Sequence, residues 1–175
     1  MNHQDHVHLL RKGISERGGV WADLGSGEGA FTLALADLIG LTGHIYTVDK
    51  NQGALRQQER AMRSLFPGIH VDYLTADFTH PLDLPPLDGI VMANSLHYVR
   101  QKDPLLQRLR SYLRPAGRLL LVEYNADQGN PWVPYPLSYQ TWEALAQHNG
   151  FSTTKLLEKV PSRFLREMYS ALSLT

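Results

Sequence analysis

The chain has 175 residues, of which 43% are hydrophobic, and its 17 Lys and Arg side chains balance 17 Asp and Glu side chains. A chain of this length can bury about two thirds of its unfolded surface in one core, so we expect a single domain over residues 1–175. The zero net charge argues against nucleic acid or an anionic membrane as partner. The lack of cysteine excludes disulfides and thiolate chemistry.

The first ten residues are polar and carry three histidines, so they lack the apolar core of a signal peptide. No run approaches the roughly 20 apolar residues of a membrane span, and we expect a cytoplasmic protein. A first helix is predicted over residues 6–12. The spacing of His3, His6 and His8 is irregular and close to the terminus, so no metal site is expected.

Five short apolar segments predict strands that are buried on both faces. They span residues 19–24, 44–48, 69–74, 87–93 and 118–124. Helical spacing between them predicts helices over residues 30–39, 52–65 and 104–113. Because strands alternate with helices, the sequence predicts a parallel α/β sheet.

Two stretches interrupt this alternation. Pro81, Pro85 and Pro86 allow no more than about one helical turn in residues 77–86, so we expect a loop there. Residues 114–117 contain proline and glycine and are expected to end the fourth helix before the fifth strand.

The C-terminal part predicts a loop, a helix and two strands. Residues 125–137 predict an ordered loop, and Ser138 is expected to cap a helix over residues 139–148. Residues 151–159 and 163–174 predict an antiparallel pair at the sheet edge. The expected fold class is α/β, a Rossmann-like, doubly wound, three-layer α/β/α arrangement. Its seven-stranded sheet is mostly parallel, with an antiparallel last strand.

A glycine-rich turn follows the first strand and leads into a helix. Glycine is needed where the backbone turns with positive φ and comes close to a ligand. We predict that the turn binds a cofactor through Asp23, Gly25, Ser26, Gly27 and Gly29.

Two further acids follow the second and third strands. Asp49, next to Lys50, lies at the distance from the glycines that is expected for a ribose-binding carboxylate. Asp77 can accept a hydrogen bond from an adenine amine, and Phe78 can stack on its ring. Because the carboxyl ends of parallel strands meet at one edge, Asp23 is expected near the same ligand.

Two cofactors compete for this site. Gly25, Gly27 and Ala30 also fit a dinucleotide fingerprint, whose turn binds a pyrophosphate. Asp23 and Glu28 would repel those phosphates, whereas S-adenosylmethionine brings a sulfonium, an ammonium, a diol and an amine. We therefore favour S-adenosylmethionine, with an NAD-dependent oxidoreductase as the weaker alternative.

With these blocks and two more, at residues 87–99 and 113–119, the chain resembles the class I S-adenosylmethionine-dependent methyltransferases, near the ubiquinone and menaquinone biosynthesis type. The resemblance extends from about Val20 to Phe151. It implies methyl transfer to a small molecule, with Asn94 at the amino end of the cofactor. The Asn-Pro-Pro-aromatic signature of nucleic-acid amino methyltransferases is absent at Asn94, which makes a nucleic-acid substrate a weaker interpretation.

The sequence contains fewer recognisable motifs for the site that binds the methyl acceptor than for the cofactor site. In-line methyl transfer needs alignment more than acid or base catalysis, but a weakly acidic oxygen would need a base, for which His97 is the candidate. The candidate substrate contacts are Tyr98, Tyr124, Trp132 and Tyr135. Because the segments that could cover the substrate are short, we expect either an open cleft or a homodimer whose second subunit covers it. The alternative function is a non-catalytic, cofactor-binding regulatory module.

Overall fold

The computed structural model describes residues 1–162 and 164–175, which form one seven-stranded sheet and five α-helices. The helices are α1 (His3–Arg11), α2 (Ala30–Ile39), α3 (Gln52–Leu65), α4 (Asp103–Tyr112) and α5 (Tyr139–His148). The strands are β1 (Gly19–Leu24), β2 (Gly43–Asp49), β3 (His70–Thr75), β4 (Leu87–Ala93), β5 (Leu113–Tyr124), β6 (Thr153–Ser162) and β7 (Arg166–Leu174). Arg163, the first residue of the predicted last strand, lies outside the described residues.

The strands lie in the order β3-β2-β1-β4-β5-β7-β6. The first five strands along the chain are parallel to one another, whereas β7 is antiparallel to both β5 and β6. This confirms the predicted Rossmann-like sheet with an antiparallel last strand. From β1 the chain builds one half of the sheet outward through β2 and β3. It then crosses to the other side of β1 and builds the second half, which begins with β4. Ligands bind open α/β sheets at such a switch point, beyond the carboxyl ends of the strands.

The core has two layers, one on each face of the sheet. On one face, α1, α2 and α3 bury side chains such as Leu10, Leu35 and Met62. On the other face, α4 and α5 bury side chains such as Leu106 and Trp142. Both layers are apolar, which is why the parallel strands are nearly continuous hydrophobic runs in the sequence.

Several predicted boundaries are wrong; β6, for example, spans Thr153–Ser162 rather than residues 151–159. The first helix starts at His3 rather than His6, because Asn2 and Asp5 form a capping box in which each side chain accepts the other's backbone N–H. The fifth strand starts at Leu113 rather than Arg118. Leu113 already pairs with Leu87, and a register shift before Gly89 accommodates residues 114–117.

The loop between β3 and β4 contains no helix in the described chain, which agrees with its three prolines. It has one hydrogen-bonded turn, in which the N–H of His80 donates to the carbonyl of Asp77 at 3.0 Å. A one-turn 3₁₀ helix, Leu96–Tyr98, instead follows β4. It places His97 and Tyr98 at the carboxyl edge of the sheet. In the described part of the chain, no helix has both the length and the apolar character needed to cross a membrane.

Candidate functional site

A cavity of about 490 Å³ opens at the carboxyl edge of β1, β2, β3 and β4. Its lining includes seven residues predicted from the sequence, namely Gly25, Asp49, Lys50, Asp77, Phe78, Asn94 and Tyr98. Asn51, Thr79 and Ser95, which were not predicted, line it as well. The volume is in the range of roughly 300 to 1,000 Å³ that is usual for cofactor pockets.

The glycines of the turn serve different purposes. Gly25, Gly27 and Gly29 have φ values of 78°, 54° and 88°, in the left-handed region. A Cβ on Gly25 would lie 2.5 Å from Cβ of Ser95, and one on Gly29 would lie 2.3 Å from Cγ of Gln58. A Cβ on Gly27 would meet nothing within 4 Å, so the backbone at Gly27 is open to a ligand.

The two acids after β2 and β3 are held by backbone hydrogen bonds. Asp49 accepts from the N–H groups of Gly27 and Asn51, both at 2.8 Å. Asp77 accepts from the N–H of Thr79 at 2.9 Å and from its hydroxyl at 2.7 Å, and these bonds lower the pKa of Asp77. Each oxygen of Asp49 keeps a lone pair that can accept from a ligand. Oδ2 of Asp77 can accept as well, because both bonds from Thr79 reach Oδ1.

Asn94 points to a ligand with a hydrogen-bond donor. Its φ of 54° places a non-glycine residue in the left-handed region, and its N–H donates to the carbonyl of Val122 at 2.9 Å. Its side-chain Oδ1 is buried and has no hydrogen-bond partner among the described residues. An unpaired buried acceptor costs about 1–3 kcal/mol, which a donor entering the cavity would offset.

A buried polar network, not predicted from the sequence, supports the turn from behind. Asp23 is 1% exposed and accepts from the hydroxyl of Thr32 at 2.5 Å. The amide nitrogen of Gln58 donates to Thr32 and Thr47, at 2.5 and 2.9 Å. The hydroxyl of Thr47 lies 2.7 Å from that of Ser26. The predicted residues Asp23 and Ser26 are thus joined to α3, behind the cavity wall.

Burial raises the pKa of Asp23 to about 7, against the opposing effect of the Thr32 hydrogen bond and with a small contribution from Asp49. A carboxyl whose pKa rises on folding contributes most to stability below its unfolded pKa and loses this contribution as the pH rises through its folded value. For Asp23 this contribution is lost between pH 3.8, its unfolded pKa, and about pH 7, its folded pKa.

We therefore expect Asp23→Asn, which cannot ionise, to remove a pH dependence from the free energy of unfolding. Between about pH 4 and pH 8 the wild type should lose up to roughly 4 kcal/mol relative to the variant. Urea unfolding of both proteins across this range measures the difference. Asp37→Asn, at an exposed carboxylate of α2, is the control. Parallel pH profiles for wild type and Asp23→Asn would contradict the raised pKa.

The predicted base, His97, forms a buried pair with Glu123. His97 is 2% exposed and Glu123 is fully buried. The carboxylate receives the backbone N–H of His97 at 3.1 Å, and Nδ1 of the ring lies 2.9 Å from its Oε2. An ionised carboxylate only accepts, so this geometry favours the tautomer with the proton on Nδ1, in which Nε2 is the acceptor. Nε2 forms no hydrogen bond within residues 1–162 and 164–175.

Two of the predicted aromatic contacts, Tyr98 and Tyr124, lie next to this pair. The ring centroid of His97 lies 4.3 Å from that of Tyr98 and 5.9 Å from that of Tyr124. Trp132 is 69% exposed and packs edge to face on Phe164, with their ring centroids 6.2 Å apart. The N–H of Tyr135 donates to the carbonyl of His97 at 3.0 Å, which fixes the loop after β5 over the 3₁₀ helix. Of these aromatic residues, only Tyr98 also lines the cavity.

A second cavity, of about 270 Å³, lies at the opposite end of β1. It contains none of the predicted site residues, and its Arg114 is paired with Asp88 at 2.6 Å. We therefore place the candidate site at the carboxyl edge.

The sequence and the fold match known proteins. Residues 22–117, more than half of the chain, match the family described as "Methyltransferase domain". The chain is 30% identical over 104 residues to the ubiquinone/menaquinone biosynthesis C-methyltransferase UbiE of Haemophilus ducreyi, covering 59% of the chain and 40% of the relative. The chain is 31% identical over 111 residues to UbiE of Escherichia coli O1:K1, covering 62% of the chain and 44% of the relative. The chain thus spans about two fifths of these relatives' length.

Solved structures share the fold. The YcgJ protein of Bacillus subtilis has a TM-score of 0.81 at 13% identity, covering 99% of both chains. A SAM-dependent methyltransferase from Aquifex aeolicus has a TM-score of 0.75 at 19% identity, covering 97% of this chain and 89% of the other. At these identities the likeness shows the fold alone.

Proposed function

The chain belongs to the methyltransferase domain family, in its class I S-adenosylmethionine-dependent form, and from this premise we propose that it methylates a small aromatic acceptor. The observation that carries the proposal is the cavity beside the glycine turn, which combines carboxylates with the unpaired oxygen of Asn94. These groups suit a ligand that carries positive charge and hydrogen-bond donors. They do not suit a pyrophosphate.

The residues of the cavity fit S-adenosylmethionine. In this proposal Asp49 accepts from the ribose diol, Asp77 and Phe78 hold the adenine, and Oδ1 of Asn94 accepts from the ammonium. The open backbone at Gly27 lets the methionine part approach. When bound, the cofactor supplies a methyl group on a sulfonium, already activated for displacement.

We propose that His97 is the catalytic base and Glu123 its positioning residue. Glu123 holds Nδ1 in its protonated form and orients the ring, so Nε2 can take a proton from a weakly acidic acceptor. The exposed ring of Tyr98 offers a flat apolar surface beside His97. A hydroxylated aromatic ring, which has both a flat face and a weakly acidic proton, matches this combination.

A methyl-transfer assay tests this proposal. The protein is incubated with S-adenosylmethionine labelled in its methyl group and with a panel of phenols, quinols, amines and carboxylates. We expect label to enter a phenol or quinol. Cofactor binding with no transfer to any acceptor would contradict the enzymatic role and favour a non-catalytic module. The single domain, the homodimer and the cytoplasmic location stay predictions.

A further inference from the structure

A cluster of two histidines and one aspartate lies far from the cavity, near the amino ends of β2 and β3. His44 is directly opposite His70 in the parallel pairing, and Asp72 follows two residues after His70. Because side chains two apart on a strand share a face, all three lie on the same side of the sheet. Their potential ligand atoms lie within 4.8 Å of one another.

This part of the sheet is open because of the loop after β3. The helices that contact β2 and β3 are α2 and α3, and both pack on the opposite face, with Ile45 and Val71. The proline-rich loop replaces the helix that would cover the first face. His44 and Asp72 consequently keep 24% and 44% of their side-chain surface exposed, and His70 is exposed as well. An ion in solution can reach all three.

The local geometry orders the two imidazoles. The ring centroids of His44 and His70 lie 4.0 Å apart with the planes at 13°, and Tyr46 stacks on the other side of His44 at 4.4 Å. Nε2 of His44 lies 2.7 Å from Oδ2 of Asp72. His70 has no ion-pair partner in the described chain, so its ring is free to act as a ligand.

We propose that His44, His70 and Asp72 bind a divalent transition metal such as Zn²⁺. Imidazole is a preferred ligand of Zn²⁺, and two imidazoles with one carboxylate leave a coordination position for water. Bonds of about 2.0–2.2 Å require ligand atoms within roughly 4.4 Å of one another. To reach that range with its lone pair directed at the ion, the exposed His70 ring must turn out of its stack on His44, in which the two ring planes lie at 13°.

The bound ion would fasten the edge strand β3 to β2 and thereby stabilise the fold. His44 precedes Asp49 by five positions along β2, which is about 16 Å of extended chain. The ion would therefore lie too far away to touch the cavity. The proposal does not rest on the proposed function, and metal binding should leave the affinity for S-adenosylhomocysteine unchanged.

Calorimetric titration of the tag-free protein with Zn²⁺ tests the site. We expect one ion per chain with a Kd of about 10 μM or tighter, and a rise in Tm of roughly 5–10 °C at 100 times Kd. His70→Ala and Asp72→Asn should each weaken binding at least tenfold. Both positions are on the surface, so the variants should fold.

His148→Ala is the matched control, because His148 is also exposed and lies 4.0 Å from a carboxylate, that of Asp103, but has no second histidine beside it. It should bind Zn²⁺ like the wild type. Wild-type affinity in His70→Ala would mean that other histidines, such as those of α1, hold the ion. That result, or a wild-type Kd above about 100 μM, would overturn the proposal.

Discussion

Glu123→Gln should lower kcat for methyl transfer roughly 100-fold or more while leaving the affinity for S-adenosylhomocysteine unchanged. Glutamine has nearly the same shape as glutamate, but it is neutral and presents an amide N–H in place of one acceptor oxygen. Nδ1 of His97, now 2.9 Å from Oε2, then loses the partner that fixes its proton. General-base catalysis typically supplies 10²- to 10⁴-fold, so its loss sets the expected scale.

The measurement is a pH profile of kcat with the best acceptor from the panel. Loss of the base should remove or displace the acidic limb of the profile, whereas a purely structural defect would lower Tm and leave the limb in place. Glu143→Gln, at an exposed glutamate of α5, is the control and should behave like the wild type. An unchanged kcat and profile in Glu123→Gln would contradict the positioning role of Glu123.

The second large effect is expected at Asp49. Asp49→Ala removes a carboxylate proposed to accept two hydrogen bonds from the ribose diol. It should weaken binding of S-adenosylhomocysteine by roughly 1.5–3 kcal/mol, which is at least tenfold in Kd. Isothermal titration calorimetry measures this directly.

Two further variants separate contact from folding. Asp49→Asn keeps an oxygen that can accept from the N–H of Gly27, but it lacks the charge and one acceptor, so it should lose most of the same affinity. Asp37→Ala, at an exposed carboxylate paired with His3, should bind like the wild type. Equal affinities in all four proteins would show that the ribose assignment is wrong.

The parts of the site that the sequence predicted are those encoded in short consecutive strings. Each is a strand with functional residues at its carboxyl end: Gly25 follows β1, Asp49 ends β2 and Asp77 lies two residues beyond β3. In a parallel sheet these ends meet at one edge, so local patterns are enough to bring the residues together. The cavity lining contains all three.

Residues that depend on packing between elements were missed. Gln58 lies between Leu55 and Met62 on the buried face of α3, a position in the helical period that could have marked it as buried. The pairing of Glu123 with His97 joins residues 26 positions apart, although an acid at the end of an apolar strand was a signal. The partnership of His44 with His70 depends on the register between β2 and β3, which no local pattern specifies.

We propose that the carboxylates at the sheet edge select a positively charged nucleoside cofactor over a phosphorylated one. Calorimetric titration of the wild-type protein with S-adenosylmethionine and, separately, with NAD compares the two classes directly. We expect one site for S-adenosylmethionine and no measurable heat of binding for NAD. Binding of NAD with equal or higher affinity would contradict it.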